Sequence, residues 1–280
     1  MIFIGLSINF LKLLATEIYK EINPLLGTDK AGIKYKRGAG GDITMHIDLV
    51  AEKALVEILN ENLIDTLIIS EEMGEKYIGS KEKAIESQKV LIVDPVDGSN
   101  NAVRGIPYSS ISIAYAEGKT IGDIKKAVIL DLNTKDIYWA EKGKGAFLNE
   151  IKIHVSNLDL SDNCFFELNL PKKNAFTHIE KLKPIIERFH RIRILGSSAL
   201  TLCQVAKGSM EAFINLRETN RLVDVAAGFL ILKEANGRFF SLDGSEFDQK
   251  LSIALKFPFV ACNSKLETFL KNEFYNTNQE

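Results

Sequence analysis

Cysteine is scarce in this chain. Three occur in 280 residues (Cys164, Cys203 and Cys262), with no CxxC pair. An odd, dispersed set excludes a disulfide framework and a zinc knuckle, and suits a reducing compartment. The four histidines, His46, His154, His178 and His190, are also scattered, none four residues from another, so a histidine-built metal site has no support. Charge of one sign is lacking too. With 35 Lys and Arg against 37 Asp and Glu, the net charge is −2, with no basic excess to attract nucleic acid or an anionic membrane. An anionic ligand therefore has to be held by a local device. The apolar opening MIFIGLSINFLKLL has no cationic leader and no small-x-small cleavage site, is interrupted by Lys12, and is too short to span a bilayer. It reads as the front of a helix with one buried face. Repeats, low-complexity tracts and Pro/Gly/Ser-rich linkers are absent. What is left is a cytoplasmic globular chain whose 46% apolar content can build a full core.

Periodicity supplies the elements. Helical spacing covers 7–26, where Pro24 marks the end, and 44–62. TLIIS (66–70) and KVLIV (89–93) are strands, and 108–140 alternates like an antiparallel meander. Between the first two helices KYKRGAGGD reads as a mobile glycine-rich loop; it lacks the GK[ST] ending of a nucleotide-binding loop. Further on come strands at 165–170, 191–195, 211–216, GRFFSLDG and PFVACN. Helices are predicted over 176–190 (against Pro184), 199–207, 224–235 and 264–272. Irregular alternation of this kind predicts a layered α/β fold rather than a doubly wound sheet. The change in texture near 155–160 divides it into halves, 1–157 and 158–280.

Acids stand at the chain switches. Glu71 follows LIIS, Asp94 and Asp97 follow VLIV, Asp224 follows NRLV, and Asp42 closes the glycine loop. Taken singly, each has an ordinary reading: DPVDG as a tight turn, Glu71-Glu72 as a solvated loop, Asp224 as a helix cap. Taken in order, each after an apolar run, they point to strand ends converging on one cleft. Carboxylates packed that closely repel and take up protons unless a cation joins them. A donor set made only of oxygens selects a hard ion, Mg²⁺ or Mn²⁺. Pro95 pre-sets the turn so that two carboxylates and the Val96 carbonyl can face one site. Gly98 and Ser99 follow where a helix should start, and there free N–H groups make a seat for phosphate. A metal beside a phosphate seat implies phosphoryl transfer or hydrolysis.

These stretches together resemble the inositol monophosphatase superfamily of metal-dependent sugar phosphatases. SEEMG is similar to its GEE segment, DPVDGSNNAVRGIP to its DPxDGTxNF segment, and LVDVAAG to its WDxAAG segment. EKGKGAFLNEIKIHVS, GSSALTLCQVAKGSMEAF and GGDITMHID match further segments in the same order, over roughly residues 10 to 265, and look most like the archaeal-type members that act as fructose-1,6-bisphosphatases and inositol monophosphatases. The resemblance implies an α-β-α-β-α fold, with an antiparallel sheet in the N-terminal half and a mixed sheet in the C-terminal half. Glu71, Asp94 and the carbonyl of Val96 would hold one Mg²⁺; Asp94, Asp97 and Asp224 a second; a third, weaker ion would sit near Glu71 and Asp94. Gly98 and Ser99 would bind the phosphate, and Asp42 with the Ser99 hydroxyl would orient the attacking water. Ser197 would face the substrate, the glycine loop would close over the site, and the protein would be a homodimer. Departures from the pattern are Ser99 for threonine, Asn100, Ala102 for phenylalanine, Val223 for tryptophan, and Ser70 for glycine. All the acids remain, so activity is expected.

The substrate is read from what precedes Asp224. Inositol-type members place a glutamate there, and this chain has Arg217, Glu218 and Arg221. Arginine suits a second phosphate. Fructose 1,6-bisphosphate is therefore expected as the better substrate, with inositol monophosphate secondary. The competing expectations are an inositol monophosphatase, a 3′-phosphonucleotide phosphatase and a non-catalytic homologue, with a structural ion pair as the alternative role for either arginine.

Overall fold

The computed structural model describes residues 6–161 and 163–277. In chain order the elements are α1 (Ile8–Ile22), β1 (Lys34–Arg37), β2 (Ile43–Met45), α2 (His46–Glu61), β3 (Thr66–Ser70), β4 (Gly74–Ile78), α3 (Lys81–Ser87), β5 (Lys89–Asp97), α4 (Ser99–Arg104), β6 (Ser110–Glu117), β7 (Ile124–Asp131), β8 (Ile137–Glu141), β9 (Gly145–Leu148) and β10 (Ile151–Ile153). The remainder is β11 (Phe165–Asn169), α5 (Ala175–Lys181), α6 (Lys183–Ile186), β12 (Arg191–Arg193), α7 (Ser198–Ala206), β13 (Ala212–Asn215), α8 (Ala226–Glu234), β14 (Arg238–Phe240), β15 (Phe259–Cys262) and α9 (Glu267–Thr277).

Eight strands form the larger sheet in the order β10-β9-β8-β7-β6-β5-β3-β4. It is antiparallel throughout except for the parallel pair β3–β5. A second sheet, β12-β11-β13-β15-β14, is mixed, with β11 parallel to both its neighbours. The period of two along each strand sends alternate residues to opposite faces. Leu91 and Val93 of β5 join Leu11, Leu14 and Ile18 of α1 in one core. Val90 and Ile92 turn the other way, to α7 and α8. That second core also takes Phe213 and Phe259 from the mixed sheet, so α7 and α8 lie between the two sheets. The far face of the mixed sheet, with Phe166, Ile214 and Val260, packs on Leu182, Ile185, Leu266 and Leu270. The layers thus run α-β-α-β-α, as the resemblance implied. Central helices between two sheets must be apolar all round, and seven consecutive residues of α8, Ala226 to Leu232, are buried. Gly228 lets it approach α7: a Cβ there would fall 2.7 Å from Leu202 Cβ.

Several expectations are corrected. The glycine-rich stretch is the turn of a β1–β2 hairpin, because the residues flanking the glycines pair antiparallel. β5 does not stop at Val93 but continues to Asp97 through a bulge between Asp94 and Asp97. The helix over 176–190 is two short helices broken at Leu182, since Pro184 cannot donate to the preceding turn. The α8 helix starts at Ala226, two residues past Asp224. The last helix runs to Thr277 rather than 272. Residues 1–5 of the expected first helix lie outside the described residues. Among the described residues no helix is long and apolar enough to cross a membrane.

Candidate active site

Two neighbouring strand ends build the floor of one cavity. β3 and β5 run parallel, so Ser70 pairs with Val93 and their pairing ends at one edge of the sheet. Glu71 follows the end of β3, and Asp94 follows Val93 on β5, where it still pairs with Ser112 of β6. The turn that carries Glu71 is held from beneath by the buried Glu52 of α2. Glu52 accepts hydrogen bonds from the Ser70 hydroxyl and from the Glu72 and Met73 N–H groups, the last two at 3.1 Å. In the bulge the Val96 N–H donates to Asp94 Oδ1 at 3.1 Å and fixes its rotamer. Gly98 then adopts φ +83°, and a Cβ there would lie 3.1 Å from the Tyr108 carbonyl and 3.2 Å from the Gly196 carbonyl. Only glycine satisfies both the torsion and the close approach.

Residues from the second half complete the floor. Asp97 is buried and accepts from the Ser197 hydroxyl and from the Ala199 N–H (2.8 Å), the start of α7. Asp224 accepts the Arg221 N–H at 2.9 Å. Carboxylate oxygens of Glu71, Asp94 and Asp224 lie within 4.8 Å of one another. Burial raises Asp94 well above the usual carboxylate range, and the charges of Glu71, Asp97 and Asp224 push it the same way. Glu71 and Asp97 are raised too, again by burial first and then by neighbouring acids. Buried oxygens that repel this strongly fit a divalent cation, which would replace the missing solvation.

Positive charge is supplied by Arg221. Its Nη1 meets Glu71 and Asp42 (3.3 Å to the latter), and its Nη2 meets Asp224 at 3.1 Å. Burial works against its charge, but Asp224, Glu71 and Asp94 outweigh it and hold the guanidinium firmly protonated. The cavity above measures about 530 Å³, with Gly98, Ser99 and Asn100 on one wall and Lys34, Arg37 and Arg217 among its lining.

The structure redistributes the predicted residues. Glu71, Asp94, Val96, Asp97, Gly98, Ser99, Arg217, Arg221 and Asp224 all line this cavity. Asp42 lines it as well, but at the exposed hairpin turn, where it reaches Arg221. The acid beside Ser99 is instead Asp48, in the first turn of α2. Asp48 is 5% exposed, accepts the Met45 N–H at 2.8 Å, and is raised from 3.8 to about 6 by burial, with Ser99 near enough to work against that rise. The Ser99 hydroxyl also lies 2.9 Å from the Val96 carbonyl. Ser197, expected to touch substrate, is 1% exposed and positions Asp97. Arg221 faces the acids rather than an open second-phosphate pocket. Sequence reasoning missed Asp48 and Glu52. Their signal was an acid at the start of α2 and another one turn later on its buried side, in a helix whose other buried residues are apolar.

Comparison with known proteins bears on this geometry. The sequence model of the inositol monophosphatase family matches residues 7–270. The chain is 38% identical over 260 residues to a fructose-1,6-bisphosphatase/inositol-1-monophosphatase of Methanothermobacter thermautotrophicus, covering 90% of each chain. It is 36% identical over 281 residues to a bifunctional NADP phosphatase/NAD kinase of Methanococcus maripaludis, covering 94% of this chain and 48% of the relative, so it spans about half of that protein. A crystal structure titled as an inositol monophosphatase–fructose 1,6-bisphosphatase superposes with a TM-score of 0.82 at 29% identity, covering 95% of this chain and 98% of the other.

Proposed function

Because the chain belongs to the inositol monophosphatase family and is a phosphatase, we propose that it hydrolyses a small sugar bisphosphate with Mg²⁺, fructose 1,6-bisphosphate first and inositol monophosphate second. The observation that carries this reading is the polarity of this cavity. An acidic floor of Glu71, Asp94 and Asp224 faces a rim bearing Lys34, Arg37 and Arg217. The floor suits hard cations under the reacting phosphate, and the rim suits a second phosphate.

Glu71, Asp94, Asp224 and the Val96 carbonyl would hold the metal, with Asp97 behind them. When bound, it supplies Lewis-acid polarisation and charge neutralisation at the phosphate. The protein's own groups do the rest. The first N–H groups of α4 lack intrahelical acceptors and bind the phosphate oxygens at Gly98 and Ser99. Asp48 is the base for the attacking water, the Ser99 hydroxyl relaying the proton once it turns from the Val96 carbonyl to Asp48, and its raised pKa brings it nearer the working range of a general base. Asp42, at the exposed hairpin turn, is left to hold the outer side of Arg221. We extend the reading to a homodimer, which sedimentation would check.

A second reading, hydrolysis of the 2′-phosphate of NADP, is favoured by the relatives named NADP phosphatase/NAD kinase. Against it, none of the described residues lining the cavity is aromatic, and its apolar side chains are few, Ile43, Met45 and Val96. Phosphate release with Mg²⁺ from fructose 1,6-bisphosphate, inositol 1-phosphate, NADP and a 3′-phosphonucleotide decides. Highest kcat/KM on the bisphosphate, lost about tenfold in Arg217→Ala through KM, is the expected result. Preference for NADP would replace the reading.

A further inference from the structure

Arg221 has no counterpart role in a site that merely waits for divalent ions. Its guanidinium bonds two of the three carboxylates that come within 4.8 Å of one another, Glu71 and Asp224, and its own N–H and Nε also donate to Asp224. Only 11% of its side chain is exposed, and the two acids are nearly as buried. The surroundings are shaped to admit it. Gly40, at the hairpin tip, is docked by its N–H on the Glu71 carbonyl at 2.7 Å. A Cβ on Gly40 would come 2.8 Å from Arg221 Nη1 and 3.1 Å from that carbonyl, so any side chain at the tip would crowd the guanidinium. Asp42, from the same hairpin, closes the outer side.

We infer that Arg221 is a resident cation of the acid cluster: it occupies one corner of the cluster, preorganises Glu71 and Asp224 without metal, and weakens divalent-ion binding there. The inference rests on the reading of these acids as metal ligands. Its physical basis is simple. A fixed positive charge within hydrogen-bonding distance of two ligands offsets part of their negative potential and repels an incoming divalent ion. It also removes part of the repulsion that would otherwise spread the carboxylates apart. Arg221 is thus a positioning residue, trading metal affinity for a site already assembled.

The test is Mn²⁺ titration calorimetry on chelator-treated full-length protein, beside melting temperatures with and without Mn²⁺. Arg221→Gln is expected to bind Mn²⁺ at least tenfold tighter than wild type, to melt lower without metal, and to regain that loss on adding Mn²⁺. Arg221→Lys, a cation too short to span both acids, should fall between the two. Unchanged or weaker Mn²⁺ binding in a folded Arg221→Gln protein overturns the inference. If that variant does not fold, the same comparison in Arg221→Lys decides: tighter binding supports the inference and unchanged or weaker binding overturns it. A wild type that binds no Mn²⁺ would instead remove the metal reading itself, and this inference with it.

Discussion

Asp94→Asn separates what the acid cluster does for activity from what it does to stability. The side chain is 2% exposed, and its Oδ1 accepts the Val96 N–H. Asparagine keeps that acceptor and nearly the volume, and replaces the other oxygen and its charge with an NH₂ donor. At 4.8 Å, the span of the Glu71, Asp94 and Asp224 oxygens, and an effective dielectric of about 20, each like-charge pair repels by about 3 kcal/mol. Protonation already relieves part of this, as the raised pKa values show. A net gain of about 1–3 kcal/mol is therefore expected in metal-free protein, a rise in Tm of roughly 3–8 °C. With Mg²⁺ that advantage is offset. Wild type gains about 2.7 kcal/mol at a hundredfold excess over Kd, the variant gains almost nothing, and phosphate release falls by about 10³ or more, worth about 4 kcal/mol of barrier. Differential scanning fluorimetry with and without Mg²⁺, beside a phosphate-release assay, reads all three. A metal-free variant that melts below wild type, or one that keeps the Mg²⁺ shift, would refute the reasoning.

Other consequences are as direct. Asp48→Asn and Ser99→Ala should each lower kcat by about 10²–10⁴ while leaving the Mn²⁺ Kd within about twofold; a large loss of Mn²⁺ binding would make them ligand supports instead. Metal-free stability should fall as pH rises. Asp48 is raised from 3.8 to about 6, so the folded state keeps a proton that the unfolded chain releases. Its stabilisation is full below about pH 4 and lost as pH passes about 6, worth about 3 kcal/mol. Glu71 and Asp94, also raised, act in the same direction. Melting temperatures from pH 4.5 to 7.5 should therefore decline without metal and flatten with Mg²⁺, and a rise without metal would contradict the assignment. Gly228→Ala should cost about 1–3 kcal/mol through overpacking against Leu202, measured by urea unfolding, and a neutral effect would mean that α7 and α8 can move apart.

Much of this protein was legible in one dimension because its signals are local. The period of two in TLIIS and KVLIV, the apolar stripe of α1 and the glycine after DPVD each depend on neighbours a few residues away, and an element of the expected type formed over each run, although β5 continues past Val93 to Asp97. The acids after those runs were visible for the same reason, since a strand end is where a charge can leave the core. Pro184 broke the helix expected over 176–190 through its own covalent geometry, a local signal that outweighed the apolar spacing.

Local pattern, then, sets the elements and the order of the acids along them. Only the tertiary structure decided which side chains meet. Arg221 bonds Glu71 across 150 residues and Asp42 across 179; Ser197 reaches Asp97 across 100. No local pattern records such separations, because they depend on which sheet edges and helix ends the layers bring together. So Asp48, rather than Asp42, stands beside Ser99, Ser197 serves Asp97 rather than the cavity, and the glycine-rich stretch is a docked hairpin. The cations divide for the same reason. Arg217 stays at the rim of the cavity, while Arg221, four residues on, is turned by the Asp224 loop into the acids, where three carboxylates offset the cost of burying its charge.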